Sequence, residues 1–147
     1  MSTKKISMLA LFIALSAVGA MIKIPAIVSS VALDFFPALL AAVYLGRRSG
    51  VVVASVGHLL SAFIGGMPLG PLHIIVALSL ALIVYVFAII YKRGRPIVAG
   101  IFVVLANGFL APVPMLFFFG FEFYLALLPS LLVGALINTV IALVVAP

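Results

Sequence analysis

Long apolar stretches separated by short polar or Gly/Pro-rich connections dominate the sequence. A membrane-spanning helix needs on the order of 20 predominantly apolar residues, and the stretches here are of about that length. The pattern therefore predicts six helical segments: Ile6–Ile22, Val31–Leu45, Gly50–Ile64, Pro71–Tyr91, Pro96–Ala111 with an apolar continuation to Phe119, and Phe123–Val145.

The second and third segments are the shortest. A helix of about 15 residues rises only ~22 Å, whereas the hydrocarbon core of a bilayer is ~30 Å thick. Because Arg47 and Arg48 fix one end of each segment, the other ends should stop inside the membrane. Irregular backbone at that depth is tolerated only where protein or a water-filled cavity satisfies it. An outward-facing pocket is therefore predicted at three loops: Lys23–Ser30, Gly65–Gly70 and the stretch around Pro112 and Pro114.

Composition narrows the class of protein. The chain has 147 residues, of which 68% are hydrophobic and 7% are charged, and it has no cysteine. Soluble domains are nearer 45–50% apolar and about 25% charged, so a soluble enzyme, a disordered chain and a disulfide scaffold are all excluded. The expectation is an all-α membrane protein: a single domain over residues 1–147, with six transmembrane helices and loops that form the pocket.

The positive charges indicate orientation. Formal net charge is +6, and positive side chains collect in alternate connections, with Lys23 as the exception. The positive-inside rule places those connections and both termini in the cytoplasm, and the protein in the cell (cytoplasmic) membrane. The clusters are short and separated, which favours contact with the lipid bilayer and predicts no binding to nucleic acid. An alternative is a signal peptide, with Lys4 and Lys5 before a stretch that ends in Ala17–Ala20. The clustered positive residues are Lys4, Lys5, Arg47, Arg48, Lys92, Arg93 and Arg95.

Polar side chains inside predicted spans are candidates for function, because they are costly in lipid. Each also has a structural explanation. Asp34 could cap a helix N-terminus, and His58 or an Asn could hold helices together by hydrogen bonds. Glu122 could be a solvated loop acid, and His73 an interfacial residue. A small-ligand site is mostly apolar with a few placed polar groups. The predicted substrate-binding residues are Asp34, Phe35, His58, His73, Asn107, Glu122 and Asn138.

Helical spacing also predicts which faces point into the bundle, because polar groups on a lipid-facing surface would lack partners. Three faces of small and polar residues follow from this spacing: Ala54, His58, Ser61 and Ala62; His73, Ala77, Ala81 and Tyr85; and Ser130, Gly134 and Asn138.

The first segment carries a stripe of small residues, Ala10, Ala14 and Ala17, here called the alanine stripe. Small residues allow close contact between helices in lipid, so the stripe either packs internally or docks on a partner membrane protein. Motifs for ATP hydrolysis, zinc binding and nucleophilic catalysis are missing from the sequence. The prediction is therefore a protein that is not an enzyme, with no catalytic residues, no metal and no cofactor of its own.

Four stretches together resemble the substrate-binding S components of energy-coupling factor (ECF) vitamin transporters. They are Ala10-x-x-x-Ala14, the sequence VALDFFPALLAA over residues 31–42, LGRRSG over residues 45–50 and VGHLL over residues 56–60. At the position of His58 many relatives carry Asp. The resemblance implies a six-helix protein that binds one vitamin or precursor at its outer side. It also implies that Ala10 and Ala14 dock on a transmembrane coupling subunit, which two cytoplasmic ATPases drive by hydrolysing ATP.

The substrate class follows from the charges near the predicted pocket. An anion such as pantothenate prefers an Arg or Lys clamp, and Lys23 is the one such residue on that side. A neutral or weakly basic heteroaromatic compound suits aromatic, Asp, Asn and His side chains. The stretches 35–37 and 67–73 resemble the S component for α-ribazole, the nucleoside of the cobalamin lower ligand. The alternatives are an S component for pantothenate or another vitamin, a small channel or proton-coupled carrier, and a membrane enzyme that uses Asp34, His58 and Glu122.

Overall fold

The protein is a bundle of helices joined by short connections. The computed structural model describes residues 2–25 and 30–147. Its helices are α1 (Thr3–Met21), α2 (Phe36–Tyr44), α3 (Arg47–Ile64), α4 (His73–Lys92), α5 (Pro96–Leu105), α6 (Val113–Phe119) and α7 (Phe121–Val145), with a 3₁₀ turn at Gly70–Leu72 and a π-helical turn at Ala106–Leu110.

Each of the six predicted segments contains a helix, with boundaries shifted by a few residues. The fifth segment is an almost continuous helical unit, Pro96–Phe119, which the π-helical turn interrupts. Within the described residues, four helical units are long and apolar enough to cross a membrane: α1, α4 with its 3₁₀ turn, Pro96–Phe119 and α7. The remaining helices are the nine-residue α2 and α3, which begins with two arginines. The chain is thus a membrane protein, while six spans and cytoplasmic termini stay predictions.

The short α2 occupies the centre of the bundle. It packs against α1, α3, α4 and α7, and every residue from Pro37 to Ala42 is buried. A helix that is apolar on all sides is stable inside a protein core or in lipid, and α2 is surrounded by other helices. Packing on all sides therefore explains why this segment is so rich in small and aliphatic residues.

A small antiparallel ribbon, which the helical periodicity did not predict, precedes α2. Its strands are β1 (Lys23–Pro25) and β2 (Ser30–Ala32), and Lys23 pairs with Ala32. Residues 26–29 of the predicted Lys23–Ser30 loop lie outside the described residues. The ribbon replaces the first turns of the predicted second segment, so α2 begins five residues later than expected.

Gly19 lets the chain after the ribbon lie directly on α1. The Leu33 N–H donates to the Gly19 carbonyl oxygen at 3.1 Å. A Cβ at position 19 would overlap the carbonyl oxygen of Leu33. Only glycine therefore permits this close approach, which fixes the backbone on which Asp34 sits.

The three predicted inward faces are confirmed for most of their members. Ser130, Gly134 and Asn138 are all buried on α7. On α3 and α4 the alanines of each face are buried, and His73 is buried with them, whereas His58 and Ser61 are half-buried. Tyr85 departs from the pattern because it is exposed, and Arg47 lies over its ring.

Helices α3 and α4 are antiparallel, and two contacts mark their opposite ends. His58 meets His73, and the Arg47 guanidinium lies 5.1 Å from the centre of the Tyr85 ring. The end that carries Arg47 also carries the C-terminal residues, because Tyr91 donates a hydrogen bond to the Pro147 backbone oxygen at 2.9 Å. We call this end, with Arg47, Arg48, Lys92, Arg93 and Arg95, the basic end.

Candidate functional site

The side chain of Asn138 fixes the start of α2 from a helix about a hundred residues away. Its Oδ1 accepts hydrogen bonds from the N–H groups of Phe35 at 3.1 Å and Phe36 at 2.9 Å. Its Nδ2 donates to the carbonyl oxygens of Ala32 and Gly134, both at 3.0 Å. An amide offers two acceptor and two donor positions, so this side chain is fully used. Asn138 is therefore a positioning residue, with no hydrogen bond left for a ligand.

Asp34 lies in the connection between β2 and α2 and is half-buried. The reading of Asp34 as a helix cap is wrong, because α2 has no side-chain cap at its own N-terminus and Asn138 accepts from its first N–H groups. The Asp34 carboxyl group interacts instead with the side chain of Ser61 and with its own backbone. Asp34 is thus an acidic residue inside the bundle, and helix capping does not explain its presence there.

His58 and His73 form a hydrogen-bonded pair between α3 and α4. The Nε2 atom of His58 is 3.1 Å from Nδ1 of His73, and the Leu69 N–H donates to Nε2 of His73 at 3.3 Å. Because Nε2 of His73 accepts, its proton sits on Nδ1 and is donated to His58. These bonds assign the tautomers and leave the proton of neutral His58 on Nδ1.

The pair also determines where the α3–α4 loop lies. Leu69 belongs to that loop, and its N–H bond to His73 ties the loop to the first residue of α4. We call Asp34, His58, Ser61 and His73 the central polar cluster. Of the residues predicted from sequence, the structure places Asp34, His58 and His73 here. Ser61 was predicted only as part of the inward face, and its spacing of three residues from His58 was the available signal.

Phe35 and Asn107, which were also predicted to bind substrate, have different surroundings. The Phe35 ring is buried in the hydrophobic core, and its N–H is held by Asn138. Asn107 is half-buried in the π-helical turn, and none of the described residues forms a hydrogen bond with its side chain. Single π-helical turns are common at functional sites. Asn107 lies eleven residues after Pro96, the first residue of its helical unit, and His58 lies eleven residues after Arg47, the first residue of α3. Each side chain is therefore about 16 Å along its helix from the first residue.

Glu122 does not join the central polar cluster. It is exposed in the first turn of α7, sixteen residues before Asn138, which corresponds to about 24 Å along the helix. The phenylalanine-rich stretch next to it is also outside the bundle, and Phe117 is 81% exposed. Their position agrees better with a belt of aromatic side chains at a membrane interface than with a pocket lining.

The alanine stripe faces outward. Ala10 and Ala14 are exposed and Ala17 is half-buried, whereas Ser16, Gly19 and Ala20 on the opposite face of α1 are buried. Among the four long apolar units, α1 buries the smallest share of its residues, 17% against 28–33% for the others. Internal packing therefore does not explain the stripe, which remains available to another protein.

The described part of the chain contains no group of three or more His, Asp or Glu side chains arranged to hold a metal ion. The central polar cluster instead offers a carboxyl group, a hydroxyl and a neutral imidazole N–H beside the apolar core. Such a set binds a small polar or aromatic compound by hydrogen bonds. The fold is thus that of a helical membrane protein, with a polar cluster inside its bundle and an exposed first helix.

Comparison with known families agrees with this class. The family model described as ECF transporter, substrate-specific component, matches residues 4–147. The chain therefore belongs to this family, whose members are the substrate-binding subunits of transporters and not enzymes. The search of curated proteins returned no match.

Proposed function

We propose that this protein captures a neutral or weakly basic heteroaromatic vitamin precursor, α-ribazole being our choice, at the outer side of the cell membrane. The observation that carries the proposal is the half-buried Asp34 carboxyl group, which neither caps α2 nor has an arginine or lysine beside it among its interactions. Ribose hydroxyls can donate to such a carboxyl group. Pantothenate is a poorer candidate, because its carboxylate would meet Asp34 instead of a cation.

The neighbouring groups suit the two halves of this ligand. The Ser61 hydroxyl and the His58 N–H offer further polar contacts to a sugar. The aromatic and aliphatic side chains around Phe35 suit a benzimidazole ring. Asn138 acts as a positioning group that holds the backbone on either side of Asp34, and His73 holds the His58 ring and the Leu69 N–H.

The two acidic residues of the chain provide a matched test. Titration of the purified protein with α-ribazole, dimethylbenzimidazole and pantothenate should give tightest binding for α-ribazole. Asp34→Asn should weaken that binding by at least about tenfold, since a hydrogen bond to a charged group contributes about 1.5–3 kcal/mol. Glu122→Gln should leave the affinity within about twofold, because Glu122 is exposed and distant. Equal losses in both variants, or preferential binding of pantothenate, would refute this substrate.

Delivery should depend on the alanine stripe. We expect Ala14→Leu to abolish ATP-dependent uptake in liposomes that also contain the coupling subunit and the two ATPases, while ligand binding stays unchanged. Val140→Leu places the same leucine side chain at an exposed position of α7 and should transport normally. Uptake against a gradient by this chain alone, without ATP, would instead support the carrier alternative.

A further inference from the structure

We propose that the basic end contains a binding site for the phosphate group of an anionic phospholipid. Between α2, α3 and α4 lies a cavity of about 1070 Å³. Three cationic side chains, Arg47, Lys92 and Arg93, line it. This site is separate from the central polar cluster and does not depend on the substrate proposed above.

The cations of this cavity have no acidic side chain nearby. The whole chain contains two acids. Asp34 lies before α2, and the basic end lies after it. The nine residues of α2 therefore separate Asp34 from the basic end by at least about 12 Å. Glu122 lies at the far end of the 25-residue α7. Cationic side chains gathered around a partly enclosed cleft attract a counter-ion, and here no acidic side chain supplies it; the Pro147 oxygen, which also lies at the cleft, accepts from Tyr91.

Two structural features concern the positive charge beside the cavity. The guanidinium of Arg47 stacks on the Tyr85 ring, which holds the side chain in place. Gly46 lines the cavity at the N-terminus of α3, an 18-residue helix without a side-chain cap. The first N–H groups of a helix lack intrahelical acceptors and favour an anion.

The remaining wall indicates a lipid rather than a soluble anion. Ala42, Val43, Ala88 and Ile89 form an apolar surface directly beside the cations. An amphiphile matches this arrangement, with its phosphate on the cations and its acyl chain on the apolar wall. The backbone of Pro147 forms part of the rim, where its oxygen accepts from Tyr91.

The test uses native mass spectrometry of the delipidated full-length protein, titrated with phosphatidylglycerol or phosphatidylcholine. We expect wild type to bind phosphatidylglycerol at least about tenfold more tightly, because only the anionic lipid carries uncompensated charge to the cations. Lys92→Gln/Arg93→Gln should remove that preference. Arg48→Gln/Arg95→Gln removes the same amount of charge from the same end but outside the cavity lining. This variant should keep the preference for phosphatidylglycerol. All four side chains are exposed, so both variants should fold, as helix content by circular dichroism will show.

Three results would overturn the proposal. An equal loss in both double variants would mean diffuse attraction to a charged surface. Displacement of phosphatidylglycerol by excess inorganic phosphate would assign the cavity to a soluble anion. Unchanged lipid binding by Lys92→Gln/Arg93→Gln, with failed assembly on the coupling subunit, would assign it to an acidic protein partner. Ligand binding at Asp34 is measured separately, so the two proposals fail independently.

Discussion

The central polar cluster and the basic end satisfy their polar groups in opposite ways. Around the cluster, the positioning side chains find partners within the chain: Asn138 forms four hydrogen bonds, and His73 binds both His58 and Leu69. At the basic end, five cations stand without an acidic side chain of the chain near them. One region is therefore fixed by its own contacts, whereas the other offers cations for which we propose a partner outside the chain.

This difference separates two kinds of polar residue in a membrane protein. A buried group whose partner is removed costs about 1–3 kcal/mol, so the cluster should tolerate substitution poorly. Exposed charges contribute little to folding, so the basic end should tolerate it well. Four substitutions test the contrast.

The largest effect is expected for Asn138→Leu. It leaves the N–H groups of Phe35 and Phe36 and the carbonyl of Ala32 without their partner in a buried region, which should lower the free energy of unfolding by about 3 kcal/mol or more. The measurement is thermal or denaturant unfolding in detergent. The neighbouring Thr139→Val is the control, because the Thr139 hydroxyl is buried without a partner and its loss should be neutral or stabilising. Similar losses in both variants would contradict the role of Asn138.

Gly19→Ala should come next. The new Cβ would overlap the Leu33 carbonyl, so α1 and the chain around Asp34 must separate, at a cost of about 1–3 kcal/mol and with weaker ligand binding. Gly65→Ala is the control, since Gly65 has an ordinary helical φ of −78° and its nearest new contact would be 3.3 Å. Normal ligand affinity in Gly19→Ala would show that this close approach does not position Asp34.

A smaller and more local effect is expected for His73→Phe. It removes the bonds to His58 and Leu69 and should cost about 1–2 kcal/mol. Hydrogen exchange of the Leu69 amide should accelerate, because its acceptor is lost. His58→Phe breaks only the bond between the imidazoles, so the Leu69 amide should remain protected there. Unchanged exchange at Leu69 in His73→Phe would contradict the loop attachment.

The smallest effect is expected at the basic end. Arg48→Gln should change the free energy of unfolding by less than about 0.5 kcal/mol, since an exposed charge without an internal partner adds little to folding. Unfolding in zwitterionic detergent is the suitable measurement. A loss above about 1 kcal/mol would show that the cation has a partner within the protein and would remove the contrast between the two regions.

Hydrophobic pattern and charge alone determined where the helices lie, which faces turn inward and where the cations gather. These properties depend on residues a few positions apart, so local periodicity is enough to predict them. The alanine stripe was recognisable for the same reason, although only packing showed that Ala10 and Ala14 are exposed. The helix predicted for residues 31–45 was too long, because its first residues belong to strand β2 and the connection that follows it.

Tertiary structure alone decided which polar groups meet. Asp34 looked like a helix cap because it lies near the start of the second predicted segment, yet Asn138 on α7 supplies the hydrogen bonds. The overlap that makes Gly19 necessary arises with the backbone of Leu33, and the tautomer of His73 depends on Leu69 in a folded loop. Hydrogen bonds are short and directional, so a partner distant in sequence is fixed only when the helices pack. Periodicity gives the face on which a side chain lies, but not the group it finds there.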